Sequence, residues 1–357
     1  MKQHMAERVL VGFSGGVDSS MAALLLRERG YDVSAAMMSV QDSSGHGCGV
    51  TEDVSGAREL AQSLDIPFEV VDCSAAYREL VLDYFRREYL AGRTPNPCVR
   101  CNPLVKFSLL PELARRAGLE FSRFATGHYA RIEPNPDTDR HVLLRGLDTG
   151  KDQSYFLYRL TEEQLSRTLF PLGEFLKSQV RAMAAERGLP VFDKPDSQDF
   201  YAGDYADLLE AAEREGEIVD TRGKVLGTHR GYWNFTPGQR KGLGIAFTEP
   251  LYVIRVIPES NEVVVGTKTE QLRDGCIIDD LHFNPSPPPP GSVFQGRLRS
   301  AQPLRKMTVG EAVGDGGLAV HFNEPVHGVA PGQSLVLYDG DMVLGGGVIR
   351  ESLERSS

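Results

Sequence analysis

Eight consecutive residues near the start of the chain have the types and spacing of a phosphate-binding loop. They follow an apolar run at residues 8–11 that predicts a buried strand, and they lead into an apolar helical segment at residues 21–27. Adjacent glycines let the backbone approach an anion, serine hydroxyls and N–H groups can converge on its oxygens, and the start of the helix adds positive potential. The segment has neither the Gly-Lys-Ser/Thr ending of a Walker loop nor a G-x-G-x-x-G pattern. The eight residues are Gly12, Phe13, Ser14, Gly15, Gly16, Val17, Asp18 and Ser19.

A second chemical candidate is the pair Cys98 and Cys101, within residues 91–102. Two prolines and two asparagines in that segment predict a loop rather than a regular helix. Arg93, Arg100 and Lys106 are close in sequence, and nearby cations favour the thiolate form of cysteine, which is the nucleophile. Three other interpretations of a C-x-x-C pair stay open: half of a zinc site, a thioredoxin-like redox pair, or two unreactive cysteines.

The first half of the chain alternates segments of strand and helix character, which predicts a parallel sheet covered by helices on both faces. In such sheets, ligands bind at the carboxyl ends of the strands. The loop at residues 12–19 and the segment 127–129 both follow a predicted strand, so we expect them at that edge. Strands are predicted at residues 8–11, 31–38, 68–71 and 121–126, and helices at 52–65, 75–90, 106–117, 162–169 and 177–187.

From about residue 216, β-type runs separated by glycine and proline replace this alternation, and they predict a small antiparallel barrel or sandwich near the C-terminus. The 357 residues, 41% of them hydrophobic, are typical of a globular protein of two or three domains. A formal net charge of −10 argues against binding nucleic acid through bulk charge. Neither a transmembrane helix nor a signal peptide is predicted, so we expect a cytoplasmic protein.

The pattern Ser-Gly-Gly-x-Asp-Ser at residues 14–19 resembles the PP-loop of the ATP pyrophosphatase superfamily. Members of that superfamily split ATP between its α and β phosphates and adenylate an oxygen of the substrate. The resemblance implies that residues 12–19 bind ATP. It also implies that Asp18 helps to hold Mg²⁺, which neutralises the leaving pyrophosphate.

Further segments resemble, in the same order, those of the bacterial tRNA-specific 2-thiouridylase family. The densest is Gly-Arg-Thr-Pro-Asn-Pro at residues 92–97, followed by Cys101 and Asn102. The resemblance covers nearly the whole chain. It implies ATP-dependent 2-thiolation of the wobble uridine of tRNA. The other matching segments are residues 125–129, 144–148, 151–157, 170–173, 196–200 and 236–244.

The resemblance also implies an architecture. We expect an α/β fold with a doubly wound parallel sheet of the adenine nucleotide alpha hydrolase-like type, then a small central β-rich domain and a C-terminal β-barrel. The expected domains are a PP-loop ATP-binding and catalytic domain at residues 1–203, a central tRNA-binding domain at 204–275 and the β-barrel at 276–357.

Individual residues take roles from the same resemblance. Cys101 falls at the place of the catalytic cysteine, and Met38 and Gly127 at the adenine end of the ATP site. Asn96, Pro97 and Cys98 occupy the loop that receives the target base. The other positions implied to contact tRNA are His128, Lys151, Asp152, Gln153, Arg299, Ser300 and Gln333.

The chain departs from the family pattern at two positions. Tyr201 stands where the family usually has a second cysteine, and Cys98 stands where it usually has aspartate. Either Cys98 serves as the resolving thiol for Cys101, or both cysteines bind an iron–sulfur centre such as a [4Fe–4S] cluster, with Cys48 as the first candidate for a third ligand. We favour the dithiol, because the sequence places no third cysteine convincingly. Cys73 and Cys276 are expected to be structural.

The resemblance therefore implies a tRNA-uridine 2-sulfurtransferase that uses ATP and Mg²⁺. We expect it to bind the anticodon loop of tRNA and to receive sulfur from an upstream carrier or a cysteine desulfurase relay. One alternative is a PP-loop synthetase or amidotransferase that adenylates a small molecule and needs neither Cys101 nor a C-terminal β-domain. Another is a tRNA-binding module with a degenerate nucleotide site, against which the intact pattern at residues 14–19 argues. Local positive charge for the tRNA backbone is expected at Arg240, Lys241, Arg297, Arg299, Arg305 and Lys306.

Overall fold

The computed structural model describes residues 6–40, 53–135, 138–194, 201 and 208–355. The chain divides into two compact units. The first comprises residues 1–82, 97–204 and 341–343, and the second comprises residues 83–96, 205–340 and 344–357. Each unit contains hydrophobic core clusters of its own.

A parallel sheet of five strands forms the centre of the first unit. Its strands are β1 (Arg8–Gly12), β2 (Asp32–Ser39), β3 (Phe68–Asp72), β4 (Arg123–Thr126) and, later in the chain, β7 (Thr168–Leu169); the intervening β5 (Ala130–Pro134) and β6 (His141–Arg145) form an antiparallel pair. The order in the sheet is β3-β2-β1-β4-β7, and all neighbours are parallel. Val9, Leu10 and Val11 are fully buried in β1, as expected for a central strand covered on both faces.

Helices connect these strands and supply the rest of the core. Met21, Leu26 and Val180 are buried in the same cluster as the sheet residues Val11 and Ala125, because α1 and α9 pack against the sheet and against each other. The helices of the first unit are α1 (Val17–Glu28), α2 (Val54–Ser63), α3 (Ser74–Tyr77), α5 (Cys98–Cys101), α6 (Leu110–Arg116), α7 (Ser154–Leu157), α8 (Glu162–Arg167) and α9 (Lys177–Glu186), with π-helical turns at Arg78–Leu82 and Asn102–Leu109; α4 (Asp83–Leu90) belongs to the second unit.

The two cysteines of the C-x-x-C pair lie on a helix, so the loop predicted there is wrong. Pro97 occupies the N-cap position of α5, and the Cys101 N–H donates to the Pro97 carbonyl oxygen (2.9 Å). A proline at the start of a helix lacks only an N–H that the first turn leaves unbonded. The prolines at 95 and 97 therefore precede the helix rather than prevent it. Pro103 falls in the π-helical stretch that follows, where the regular hydrogen-bond pattern is already interrupted.

The second unit contains a four-stranded sheet. Its core contains Ile218, Val253 and Val263 from the strands, together with Tyr232 and Phe235 from the connecting segment. The strands are β8 (Gly216–Asp220), β9 (Val225–His229), β10 (Tyr252–Ile257) and β11 (Glu262–Gly266), in the order β10-β11-β8-β9.

Six further strands form a closed antiparallel barrel. They are β12 (Arg273–Phe283), β13 (Val293–Arg297), β14 (Arg305–Val313), β15 (Gly317–Val326), β16 (Ser334–Asp339) and β17 (Met342–Leu353). The order β12-β15-β14-β13-β16-β17 closes on itself because β12 also pairs with β17. Alternating residues such as Ile278, Met307, Val320 and Leu335 fill the interior.

This architecture confirms the predicted α/β fold, with a parallel sheet first, a β-rich segment next and a barrel at the C-terminal end. The barrel, rather than a sandwich, follows from the pairing of β12 with β17. Among the helices in the described part of the chain, none has the length and apolar character needed to cross a membrane.

Candidate active site

The turn between β1 and α1 forms a loop at the carboxyl edge of the parallel sheet. Gly16 occupies the N-cap position of α1 without a side chain that caps the helix, so the first N–H groups from Val17 onward face the loop. The Ser14 N–H donates to Ser19 Oγ (3.2 Å), and the hydroxyls of Ser19 and Ser20 donate to the Gly16 carbonyl oxygen (3.2 and 2.9 Å). The loop is thus fixed in a conformation suited to an anion.

Two glycines allow a close backbone approach around this loop. Gly15 has a φ of +71°, and a Cβ there would lie 2.9 Å from the Cβ of Ala57 in α2. A Cβ on Gly127, directly after β4, would lie 2.7 Å from the Asp18 carbonyl carbon and 2.9 Å from the Ser19 nitrogen. Neither gap accepts a side chain, so glycine is required at both positions.

Asp18, in the first turn of α1, binds a lysine from α9. The Lys177 ammonium donates to both carboxylate oxygens of Asp18 at 2.7 Å, and the Tyr129 hydroxyl donates to Oδ1 at 2.8 Å. The Lys177 side chain is 9% exposed and that of Asp18 is 29% exposed. Lys177 Nζ also lies 5.7 Å from the centre of the Tyr129 ring, where a cation is attracted by the π face. A neutral but highly polar ion pair therefore lies at the loop.

The nucleotide-binding residues predicted from the sequence lie along one edge of the sheet. Gly12 ends β1 and pairs with Ala36 of β2 and Thr126 of β4. Met38 is half-buried two residues beyond Ala36, and Gly127 directly follows Thr126. Residues 12–19, Met38 and Gly127 therefore meet where α/β folds bind their ligands. That Met38 and Gly127 contact adenine stays a prediction.

Cys98 and Cys101 are three positions apart on α5, so their side chains occupy the same face of the helix. Both are half-buried, whereas Cys73 and Cys276 are 2% and 0% exposed. Burial raises the pKa of the Cys276 thiol far above its usual range, so it stays protonated and unreactive. Cys98 and Cys101 are the more accessible thiols among the described cysteines.

A series of hydrogen bonds within the first unit connects the turn that carries the thiols with the phosphate loop. Asn102, the residue after the second thiol, donates through Nδ2 to the carbonyl oxygen of Phe156 in α7 (3.1 Å). Gln153, at the N-cap of α7, accepts the Tyr129 N–H through Oε1 (2.9 Å), and the Tyr129 hydroxyl donates to Asp18. The two predicted chemical sites thus belong to one hydrogen-bonded assembly.

His128 lies in an aromatic cluster with Phe107 and Phe170. Its Nδ1 is 2.7 Å from Thr126 Oγ1, and its ring centre is 5.8 Å from that of Phe107 and 5.9 Å from that of Phe170. Burial holds the pKa of His128 well below its usual value of 6.5, and the Lys106 ammonium lowers it further. The imidazole is therefore neutral at pH 7.

The other predicted tRNA contacts of the first unit lie in the turn before α7. Lys151 is exposed and Gln153 is half-buried. The Asp152 carboxylate is buried and accepts the N–H groups of Gly146 (3.1 Å) and Ser154 (3.0 Å) through Oδ1, so it fixes this turn. The three tRNA assignments stay predictions.

Four more predicted tRNA contacts lie in the second unit: Asn96, Arg299, Ser300 and Gln333. Pro97 and Cys98 lie at the start of α5, in the first unit. The Gln333 side-chain amide donates to the Thr94 carbonyl oxygen (3.0 Å), two residues before Asn96. Arg299 Nη2 donates to a backbone carbonyl of the segment 236–244 (2.9 Å). The Ser300 carbonyl oxygen accepts a hydrogen bond from the guanidinium of the preceding β-strand. These residues position loops of the second unit.

Among the described residues, no group of three or more His, Cys, Asp or Glu side chains is placed so that it could hold a metal ion. Cys48 lies outside the described residues, as do residues 196–200. Tyr201 is described and is buried. The iron–sulfur ligand set of Cys98, Cys101 and Cys48 therefore stays a prediction.

Sequence reasoning did not identify Lys177 or Tyr129 as partners of Asp18. Lys177 is 159 residues away from Asp18 in sequence, and only the tertiary fold brings them together. One sequence signal points to it, since Lys177 is the first residue of α9 and a cation is unfavourable next to the positive end of a helix. A nearby anion offsets this unfavourable interaction, and Asp18 is that anion.

Three family models match consecutive parts of this chain. They are described as a tRNA methyl transferase HUP domain at residues 7–201, a tRNA methyl transferase PRC-barrel domain at residues 208–267 and an aminomethyltransferase beta-barrel domain at residues 273–349. The first model alone covers more than half of the chain, and the three together follow the order of the sheets.

Curated relatives match over nearly their whole length. The protein of Endomicrobium trichonymphae is 43% identical over 356 residues, which is 96% of this chain and 98% of the relative. That of Geotalea uraniireducens is 43% identical over 372 residues (99% and 97%), and that of Clostridioides difficile is 40% identical over 362 residues (98% and 99%). All three are called tRNA-specific 2-thiouridylase MnmA.

Proposed function

This chain belongs to the tRNA-specific 2-thiouridylase family, and we propose that it catalyses the ATP-dependent 2-thiolation of the wobble uridine of tRNA. A small-molecule PP-loop synthetase or amidotransferase is not favoured, because the relatives named for tRNA thiolation match all parts of the chain, including the barrel. The proposal is carried by one observation: a phosphate loop and a helix with two accessible thiols are joined by hydrogen bonds within one unit.

ATP is the substrate that the loop fits. Its N–H groups at the start of α1, and the backbone freedom given by Gly15, suit phosphate oxygens. Mg²⁺ in phosphate sites binds through one or two carboxylates together with phosphate oxygens, and Asp18 supplies one such carboxylate at the loop. The residues present therefore fit the metal, which would neutralise charge on the pyrophosphate.

The chemistry needs a leaving group before sulfur can replace oxygen. The O2 atom of uridine attacks the α-phosphorus of ATP and pyrophosphate leaves, so O2 becomes adenylated. A sulfur nucleophile then attacks C2 and AMP leaves, which gives 2-thiouridine. The uridine must leave its stack to reach both groups, and the single-stranded anticodon loop allows this at little cost.

Cys101 is proposed to carry the sulfur as a persulfide. An upstream carrier or a cysteine desulfurase relay transfers sulfane sulfur to the Cys101 thiolate, and the terminal sulfur then attacks C2. Cys98, one helical turn away, attacks the Cys101 Sγ and forms a Cys98–Cys101 disulfide, while the electron pair of the broken S–S bond stays on the sulfur bound to C2. A dithiol reductant restores both thiols before the next turnover.

The tRNA is proposed to contact both units. The loop that receives the target base is proposed to contain Asn96, Pro97 and Cys98. The other proposed tRNA contacts are His128, Lys151, Asp152, Gln153, Arg299, Ser300 and Gln333. The proposed domains are residues 1–203 for ATP and catalysis, 204–275 for tRNA binding and 276–357 for the barrel. We place the enzyme in the cytoplasm with its tRNA substrate.

The assignment of the thiols is tested with protein purified without oxygen. We expect Cys101→Ser to release pyrophosphate in the presence of tRNA but to form no 2-thiouridine, because only the sulfur step is lost. Cys98→Ser should load persulfide and then accumulate a Cys101–tRNA disulfide adduct, visible by mass spectrometry and released by a thiol. Cys73→Ser is the matched control and should behave as wild type.

Two results would contradict this assignment. One is full thiolation by Cys101→Ser. The other is stoichiometric iron and acid-labile sulfide that disappears in Cys98→Ser, which would favour the [4Fe–4S] cluster over the dithiol.

A further inference from the structure

Lys177 places a cation at the phosphate loop that has no role in the proposed mechanism. Its ammonium is nearly excluded from water and binds both oxygens of Asp18 at 2.7 Å. The Lys177 ammonium therefore occupies both oxygens of the carboxylate that is proposed to bind Mg²⁺. The same carboxylate therefore cannot keep its present lysine contact and also bind a divalent cation through both oxygens.

The position of Lys177 on its helix is electrostatically unfavourable. It is the first residue of α9, next to the positive end of the helix. Its own backbone N–H donates to Asp148 Oδ2 (2.9 Å), which holds the start of α9 in place independently of the side chain. This anchor keeps the start of α9 in place, while the flexible four-carbon stem of Lys177 allows the ammonium to move.

We propose that Lys177 is a phosphate-binding residue that exchanges Asp18 for the pyrophosphate end of ATP when nucleotide binds. This proposal rests on the proposed function, since it assumes that ATP is the ligand of the loop. Lys177 then stays with the departing pyrophosphate and stabilises the charge that develops on it. Asp18 keeps its Tyr129 hydrogen bond, which preserves the direction of the carboxylate after the lysine leaves.

A second ion pair between the same two helices provides a matched control. Arg187, at the end of α9, donates to both carboxylate oxygens of Glu28 at the end of α1 (2.8 and 3.0 Å). It joins α1 and α9 just as Lys177 and Asp18 do, but at the opposite end from the loop. If Lys177 only holds the two helices together, loss of either pair should have similar consequences for ligand binding.

The test is calorimetric titration of inorganic pyrophosphate into the full-length protein without magnesium. Lys177→Gln should weaken binding by about tenfold or more, because it removes a charge-assisted hydrogen bond, and Lys177→Arg should retain most of it. Asp18→Asn should tighten binding, because it frees the ammonium from its carboxylate. Arg187→Gln should bind as wild type.

Opposite effects of Lys177→Gln and Asp18→Asn are the signature of the exchange. Equal weakening by both variants, or binding by Lys177→Gln that matches wild type, would overturn the proposal. Should Lys177→Gln fail to fold by circular dichroism, Asp18→Asn and Lys177→Arg still decide the outcome.

AMP release with tRNA is measured in parallel, so that the two proposals fail separately. Wild-type protein that binds pyrophosphate but never releases AMP would contradict the thiolation function and leave the role of Lys177 standing. Thiolation by wild type together with unchanged pyrophosphate binding in Lys177→Gln would contradict only the role of Lys177.

Discussion

At the residue scale, Asp18 and Lys177 form an ion pair beside the loop between β1 and α1. Their charges cancel while both are largely withdrawn from water, and Tyr129 fixes the geometry. Removing one member of a buried pair leaves an uncompensated charge, which commonly costs about 3–5 kcal/mol, and less where one partner is partly exposed as Asp18 is. The sequence shows the residue types at these positions, but it does not show that Asp18 pairs with Lys177 and Tyr129.

His128 gives a residue-scale prediction about acid stability. Burial holds its folded pKa well below 6.5, so on acidification the unfolded chain takes up a proton first. The stability contributed by the neutral imidazole is complete above about pH 6.5 and is lost as the pH falls toward the folded pKa.

We expect His128→Gln to lose less stability than wild type on acidification below the usual histidine pKa, because glutamine takes up no proton in the unfolded chain. Thermal and urea unfolding followed by far-UV circular dichroism measure this difference. His229 and His327 also have lowered pKa values, but they are present in both proteins and cancel in the comparison. Parallel pH profiles for the two proteins would contradict the assignment of a neutral His128 with a lowered pKa.

At the scale of elements, the phosphate loop depends on a backbone conformation more than on any side chain. Gly15 has a left-handed φ of +71° and faces Ala57 without space for a Cβ. Gly30, after α1, has a similar φ of +87°, but no atom lies within 4 Å of the Cβ it would gain. A side chain would therefore meet similar backbone strain at both positions, and the two positions differ in what surrounds the added Cβ.

Gly15→Ala should raise the KM for ATP by on the order of tenfold or more, because the loop must move away from α2. Alanine is strained at a positive φ, so Gly30→Ala and Gly15→Ala should each lose about 1 kcal/mol of stability. The KM of Gly30→Ala for ATP should stay that of wild type. Steady-state kinetics and thermal unfolding of both variants provide the comparison. An unchanged KM in Gly15→Ala would show that the loop does not bind the nucleotide.

The elements differ in how far the sequence could predict them. β1 and the loop after it were predicted correctly, because an apolar run such as Val9–Leu10–Val11 is explained by burial on both faces alone. The helix at Cys98 was missed, because proline content was weighed against it although Pro97 only caps its start. Lys177 was missed as a site residue, because its place at the start of α9 signals an unfavourable charge but not which anion, 159 residues away, compensates it.

At the scale of the whole molecule, a net charge of −10 coexists with a local concentration of positive charge in the second unit. Burial lowers the pKa of His327 most, and three nearby cations lower it further: Arg305, Lys268 and Arg299. Cations grouped closely enough to suppress the protonation of a histidine also attract phosphate. The acidic composition of the chain therefore does not conflict with a tRNA substrate.

We expect Lys268→Ala to weaken tRNA binding and to reduce the slope of log K against log salt by about 0.7–1, the value for one lost phosphate contact. Lys224→Ala removes an exposed lysine from the β8–β9 turn of the same unit and is the control. Fluorescence titration of labelled tRNA at several salt concentrations gives both slopes. Identical slopes for Lys268→Ala and wild type would exclude that lysine from the interface.

The central claim is that one molecule of ATP activates one uridine oxygen for replacement by sulfur. Its most direct test is a count of AMP and 2-thiouridine in the same reaction, with unmodified tRNA, Mg²⁺, ATP labelled at the α-phosphorus and a persulfide donor. We predict that AMP and 2-thiouridine appear in equal amounts and that AMP is absent without tRNA. Formation of 2-thiouridine without AMP would contradict the account.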